Sequence, residues 1–172
     1  GVKMHTIGLK LEHKKLIRVM PNTPAQIRQG ISAWTASKEV DRPTLDFVRD
    51  MLQAIGEEIR FSDEKNIDIA TALSGSGPGY VFVFIEALTD AGVELGLPVQ
   101  TARDLASQTV LGSAALQRKS GEHPAELRNM VTSPGGTTAA GLASLENGGF
   151  RGIIADAVRA AFERGEDLAG GK

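Results

Sequence analysis

"YVFVFIEAL", residues Tyr80 to Leu88, sets the terms on which the rest of the chain folds. As a helix it is apolar nearly all round, and a helix without a wet face is enclosed by neighbouring helices or by a second subunit. The helical sequence around it, residues 63 to 172, is too small to cover it well alone. A dimer is therefore expected, held mainly by the region from Tyr80 to Leu116.

Outward from this segment the helical pattern continues, with helices predicted over 63–73, 78–95, 101–119, 124–132, 137–147 and 150–168. Gly96-Leu97-Pro98, Gly121 and Gly148-Gly149 punctuate them in the usual order of glycine after a helix and proline soon beyond. Before Ser62 the pattern changes. "LIRVM", Leu16 to Met20, is a short apolar run ended by "PNTP", which reads as a buried strand delivering its carboxyl end into a loop. "GISAWTAS" reads as a second strand and "EEIRFS" as a third. Between them Asp41 caps a helix whose Leu45, Val48, Leu52 and Ile55 recur at helical spacing. Strand, strand, helix, strand is the wiring of half an α/β sheet domain, so residues 1–62 and 63–172 are expected to form separate domains. "GVKMHTIGLKLEHKK", at the start, reads as the end of an element already under way.

Composition narrows the function. The 172 residues are 41% apolar, enough for a real core, and 19 basic against 21 acidic side chains give a formal charge of −2. That balance lacks the basic excess that nucleic acid or an anionic membrane would select. There is no cysteine, and His5, His13 and His123 are widely spaced, so neither a disulfide framework nor a metal site is expected. No apolar run approaches the roughly 20 residues of a membrane span, and no leader opens the chain, which points to a cytoplasmic protein.

Three loops offer chemistry. "LSGSGPGY", Leu73 to Tyr80, carries Gly75, Gly77 and Gly79, but G-x-G-x-G between two helices is not the G-x-G-x-x-G that follows a strand in a dinucleotide site. A tight helix–helix turn with close backbone packing is the plainer reading. "MPNTPA" follows a presumed sheet strand, where ligands of open sheets lie, and Asn22 and Thr23 either face such a ligand or are satisfied within the turn. His123, just before a helix-opening proline, reads as a surface or capping residue. "TSPGGTT", Thr132 to Thr138, is the best candidate: Gly135 and Gly136 permit a curled nest of N–H groups at the positive end of a helix. Its hydroxyls are neutral, so the guest would be a small anion such as a carboxylate. An elaborate helix cap is the alternative.

Taken together, "RVMPNTPA", "LSGSGPGY", "AGVELGLP", "EHPAELRNMVTSPGGTTAAGLASLE" and "GGFRGIIADAVRAAFERGEDL" resemble successive landmarks of the pyrroline-5-carboxylate reductase family. The most specific run is Pro124 through Leu127, Val131, Thr132, Ser133, Gly136, Thr138, Gly141, Leu142 and Leu145. The resemblance implies the C-terminal part of a Rossmann-like sheet domain followed by a helical dimerisation domain, of the type seen at the C-terminus of 6-phosphogluconate dehydrogenase. It implies NADP or NAD as cofactor, reduction of 1-pyrroline-5-carboxylate to L-proline, and an interlocked homodimer that can assemble further. By the same resemblance Ser133, Gly135, Gly136 and Thr137 bind the substrate and Thr138, the catalytic candidate, hydrogen-bonds its ring nitrogen. Asn22, Thr23, Ser74, Gly75, Ser76 and Gly77 line the nicotinamide side. A complete reductase opens with a strand and a G-x-G-x-x-G turn, so on the order of a hundred further residues are expected before Gly1, and cofactor binding by these 172 residues alone is expected to be weak. The rival readings are a helical dimerisation module without catalysis and another two-domain NAD(P)-dependent dehydrogenase.

Overall fold

The computed structural model describes Val2 to Gly170. Helix α1 (Met4–Leu11) precedes strand β1 (Ile17–Met20), and a 3-10 turn at Thr23–Ile27 leads into strand β2 (Gly30–Ala36). Helix α2 (Arg42–Gln53) and strand β3 (Gly56–Arg60) complete a three-stranded sheet of order β1-β2-β3. β1 runs antiparallel to β2, with Val19 opposite Trp34, while β2 and β3 are parallel, with Ala33 opposite Ile59. A parallel pair needs a crossover, and α2 supplies it.

The sequence explains α2 in detail. Asp41 accepts the Thr44 N–H at 3.0 Å and the Thr44 hydroxyl at 2.7 Å, so the first turn is satisfied from the side. Leu45, Val48 and Leu52 then lie on the buried face and pack with Val40 and Trp34, joined by Ile17, Val19 and Ala36 of the sheet. Trp34 is completely buried, and its indole N–H donates to Glu58 at 2.6 Å, so no polar atom is stranded. The Arg60 guanidinium lies 5.3 Å from the ring centroid. β1 is half-buried throughout, less enclosed than its apolar run suggests.

Beyond the sheet the chain is helical: α3 (Lys65–Ala70), a π-helical turn at Thr71–Gly75, α4 (Gly77–Glu94), α5 (Val99–Ser120), α6 (Pro124–Met130), α7 (Thr137–Asn147) and α8 (Phe150–Gly170). The helix expected over 63–73 is thus α3 running into a wide turn, and α1 is a helix in its own right. Gly8 lets α1 lie close to the chain that follows: a Cβ there would meet the His13 carbonyl at 3.1 Å and Leu16 at 3.2 Å.

Two compact units divide the chain, one comprising residues up to Gly79 together with those from Ala155 onward, the other Tyr80–Ile154. The first owns the tryptophan core. In the second, among the described residues, only Thr89, Ala102 and Ala106 are buried. Their seam is tight, since a Cβ on Gly92 would lie 3.1 Å from that of Ala102. The large apolar side chains of α4 stay outside it, with Phe82 61% and Val83 65% exposed. No helix among the described residues is long and apolar enough to cross a membrane.

Candidate functional site

The loop before α7 is built from its glycines. The Thr132 hydroxyl donates to the Arg128 carbonyl at 2.6 Å and closes α6. Gly135 then takes φ +69°, the left-handed region that favours glycine. The Gly136 N–H donates back to the Ser133 carbonyl at 3.0 Å, which curls the segment. Gly136 is the N-cap of α7 and has no side chain to offer. Helix starts differ along the chain: α1, α3 and α5, like α7, have no side-chain cap, whereas α2 and α6 have one. α2 is capped by Asp41, and α6 by His123, whose Nδ1 accepts the Ala125 N–H at 3.2 Å, as expected of a capping histidine. α7 has no side-chain cap at all. Its first-turn N–H groups therefore keep their capacity for an acceptor, at the positive end of the helix dipole. The Ser133 hydroxyl stands beside Gly136, Thr137 is exposed and Thr138 half-buried. Residues 131 to 142 carry no charge, so the nest is a neutral receptor for a small anion. Ser133, Gly135 and Gly136 of the loop thus stand next to Thr137 and Thr138, the first two residues of α7.

A second cluster gathers Asn22 with Ser74, Gly75, Ser76 and Gly77. Ser76 donates its N–H to the Thr71 carbonyl at 2.8 Å, the five-residue spacing of a π turn, and Gly79 donates to Ser76 at 2.9 Å. The Ser74 hydroxyl donates to Ala70 at 2.9 Å. Asn22 joins this turn to the sheet: its Oδ1 accepts the Ile31 N–H at 2.9 Å and its Nδ2 donates to the Ser74 carbonyl at 3.2 Å. At Gly75 an added Cβ would lie 2.5 Å from Met20 Cε, the flexible end of that side chain, whereas Gly77 and Gly79 face open space. Asn22 is thus satisfied outside its own turn rather than within it, and of the three glycines only Gly75 has a neighbour within 4 Å of an added Cβ. Thr23 is exposed and opens the 3-10 turn.

Sequence reasoning missed the ion-pair cluster behind this turn. Arg18 donates to Glu64 and to Asp68, each at 2.9 Å, Lys3 also pairs with Asp68, and the Met4 N–H donates to Glu64 at 2.7 Å. Burial alone would raise the Asp68 carboxyl, but the hydrogen bonds from Lys3 and Arg18 outweigh it and hold it below its ordinary value. An arginine inside the apolar run "LIRVM" was the available signal, since a charge in a strand needs a partner. No cluster of three metal-binding side chains occurs among the described residues.

A mixed three-stranded sheet followed by an all-helical region is the arrangement shared with solved structures that join a Rossmann-type domain to a helical dimerisation domain. A sequence model of the family described as pyrroline-5-carboxylate reductase dimerisation matches residues 64–168. The chain belongs to the pyrroline-5-carboxylate reductase family. It is 45% identical over 169 residues to a pyrroline-5-carboxylate reductase of Pisum sativum and 46% identical over 168 residues to one of Synechocystis, in both cases over 98% of this chain and 62% of the relative. The chain thus spans less than two thirds of the length of these relatives. Among solved structures it is similar to the Plasmodium falciparum pyrroline carboxylate reductase with NADP bound, at 36% identity and a TM-score of 0.91 over 98% of this chain and 68% of that one. The Coxiella burnetii pyrroline-5-carboxylate reductase gives 38% identity and a TM-score of 0.93, over 98% of this chain and 63% of that one.

Proposed function

We propose that the protein to which this chain belongs reduces 1-pyrroline-5-carboxylate to L-proline, and that the loop Ser133–Thr138 is its substrate clamp. The observation that carries this reading is the α7 N-terminus, which begins at Gly136 with no side-chain cap, directly behind the left-handed Gly135. The carboxylate and ring nitrogen of the substrate are separated by one carbon. The nest of Ser133, Gly135, Gly136 and Thr137 receives the carboxylate, and the Thr138 hydroxyl bonds the nitrogen. Both ends of a short ligand are thereby oriented.

A reduced nicotinamide cofactor, NADPH or NADH, supplies the hydride for the C=N carbon when bound. The turn Ser74–Gly77, with Asn22 and Thr23, lines its nicotinamide side. The open space at Gly77 and the open-sided Gly79 fit a flat ring approaching the backbone. The protein's own contribution is orientation and exclusion of water, with no side chain acting as nucleophile. In domain terms residues 1–62 complete the dinucleotide-binding domain, and 63–172 form the dimerisation and substrate domain.

The same reading makes the working species a cytoplasmic homodimer, able to assemble further. Its support is the apolar face of α4, where Phe82 is 61% and Val83 65% exposed. The test is an assay of the full-length protein with NADPH and 1-pyrroline-5-carboxylate, following loss of NADPH and formation of proline. No proline from the imine under saturating cofactor would end the proposal.

A further inference from the structure

We infer that Asn22 is a positioning residue for the Ser74–Gly77 turn, supplying the hydrogen bond that Pro78 withholds from the Ser74 carbonyl. This rests on the reading that the turn lines the nicotinamide side. In a continuing α-helix the carbonyl of residue 74 accepts the N–H of residue 78. Residue 78 is proline and has no N–H. The next donor along the chain, the Gly79 N–H, is directed to Ser76. The Ser74 carbonyl therefore depends on a donor from elsewhere, and Asn22 Nδ2, 52 residues away in sequence, provides it at 3.2 Å.

The other end of the amide is equally committed. The β1–β2 ladder ends at Met20 opposite Ala33, so Ile31 lies beyond it, and its N–H is accepted by Asn22 Oδ1 at 2.9 Å. One end of the amide faces a donor and the other an acceptor, which fixes its orientation. Met20 closes the same gap from the strand side by packing against Gly75. The turn is thus hung on the sheet through one side chain whose polar ends are spent on backbone. Asn22 serves the cofactor through the turn it holds. A π turn followed by proline leaves a carbonyl that the local sequence does not satisfy alone, and such turns recur at functional sites.

The test uses the full-length enzyme and four proteins: wild type, Asn22→Asp, Pro78→Ala and the double variant. Asn22→Asp keeps the acceptor for Ile31 but removes the donor and turns a carboxylate oxygen toward the Ser74 carbonyl. Pro78→Ala returns an N–H four residues after Ser74. Asn22→Asp is expected to raise the NADPH KM about tenfold and to leave the imine KM within about twofold, as the loss of one part-buried hydrogen bond acting on one ligand requires. Adding Pro78→Ala should recover at least about threefold of the NADPH KM, and the double variant should lose less melting temperature than the two single losses together. Additive melting losses without recovery would overturn the strut itself. Coupled melting losses with an unchanged NADPH KM would instead overturn the cofactor side of the reading, and with it the positioning role. If Asn22→Asp does not fold, Asn22→Ser enters the same cycle with the same two readouts.

Discussion

The hydroxyl of Ser133 occupies the space that a Cβ on Gly136 would need. Gly136 has φ −79° and ψ 172°, which any residue adopts, so its requirement for glycine is steric rather than conformational. Gly136→Ala displaces Ser133 from the mouth of the nest. The full-length enzyme should show an imine KM raised about tenfold, with melting nearly unchanged because the loop is exposed. Steady-state kinetics check this, and the variant combined with Ser133→Ala should behave like Ser133→Ala alone.

Thr138→Val keeps the branched shape and removes the hydroxyl. A hydrogen bond to a charged group is worth about 1.5–3 kcal/mol, so kcat/KM for the imine should fall roughly 10- to 150-fold, with NADPH affinity nearly constant. A helix-cap role predicts the opposite pattern, a small melting loss of about a few tenths of a kcal/mol with turnover intact. Kinetics and a melting curve on the same protein distinguish them.

Acid should weaken the sheet-bearing unit. Asp41 is held well below the usual carboxylate range by the hydroxyl and N–H of Thr44 and by Lys15, and Asp68 is lowered because Lys3 and Arg18 outweigh its burial. A depressed folded value means that the stabilisation is complete above the unfolded pKa of about 3.9 and is lost as pH falls through the folded values. Melting temperature should therefore be flat from neutral pH to about 5 and fall below about 4. Asp68→Asn should lower it at neutral pH and flatten the acid slope, as thermal melts across that range would register.

Val83→Asp places a charge in the apolar face of α4, where Val83 is among the most exposed of its side chains. Burying that charge in a dimer interface should weaken association at least about a hundredfold. Sedimentation at micromolar concentration reads the outcome directly. An unaltered dimer would move the interface elsewhere.

What the sequence carried was whatever local chemistry dictates. Asp41 with its apolar stripe announced α2, and Gly135-Gly136 before Thr137 announced both the turn and the first residue of α7. Strand β1 followed from a short apolar run ended by Pro and Asn, and β2 and β3 from the short segments that flank α2. The missing parts depend on contacts distant in sequence. The antiparallel sense of β1 is set by pairing with β2, not by its own residues. α1 has Gly8 at its centre, a poor helix former, tolerated because the chain packs against it. The two ends of the Asn22 amide find partners 9 and 52 residues away. Pro78 is the first residue of the helix predicted over 78–95, but the carbonyl it orphans emerges only once the π turn is in place.

The narrow alanine seam between α4 and α5 bears on how this protein can change over generations. With Gly92 against Ala102 filling the inside of the helical unit, its bulky side chains look outward toward the proposed twin. In a two-fold pair each inherited substitution at Phe82 or Val83 arrives on both sides of the symmetry axis at once. A change that crowds the interface is therefore doubled at birth, and its remedy must come from the same gene. Drift on this face should proceed in compensating pairs within one reading frame, while the Gly92–Ala102 seam leaves almost no room to drift at all.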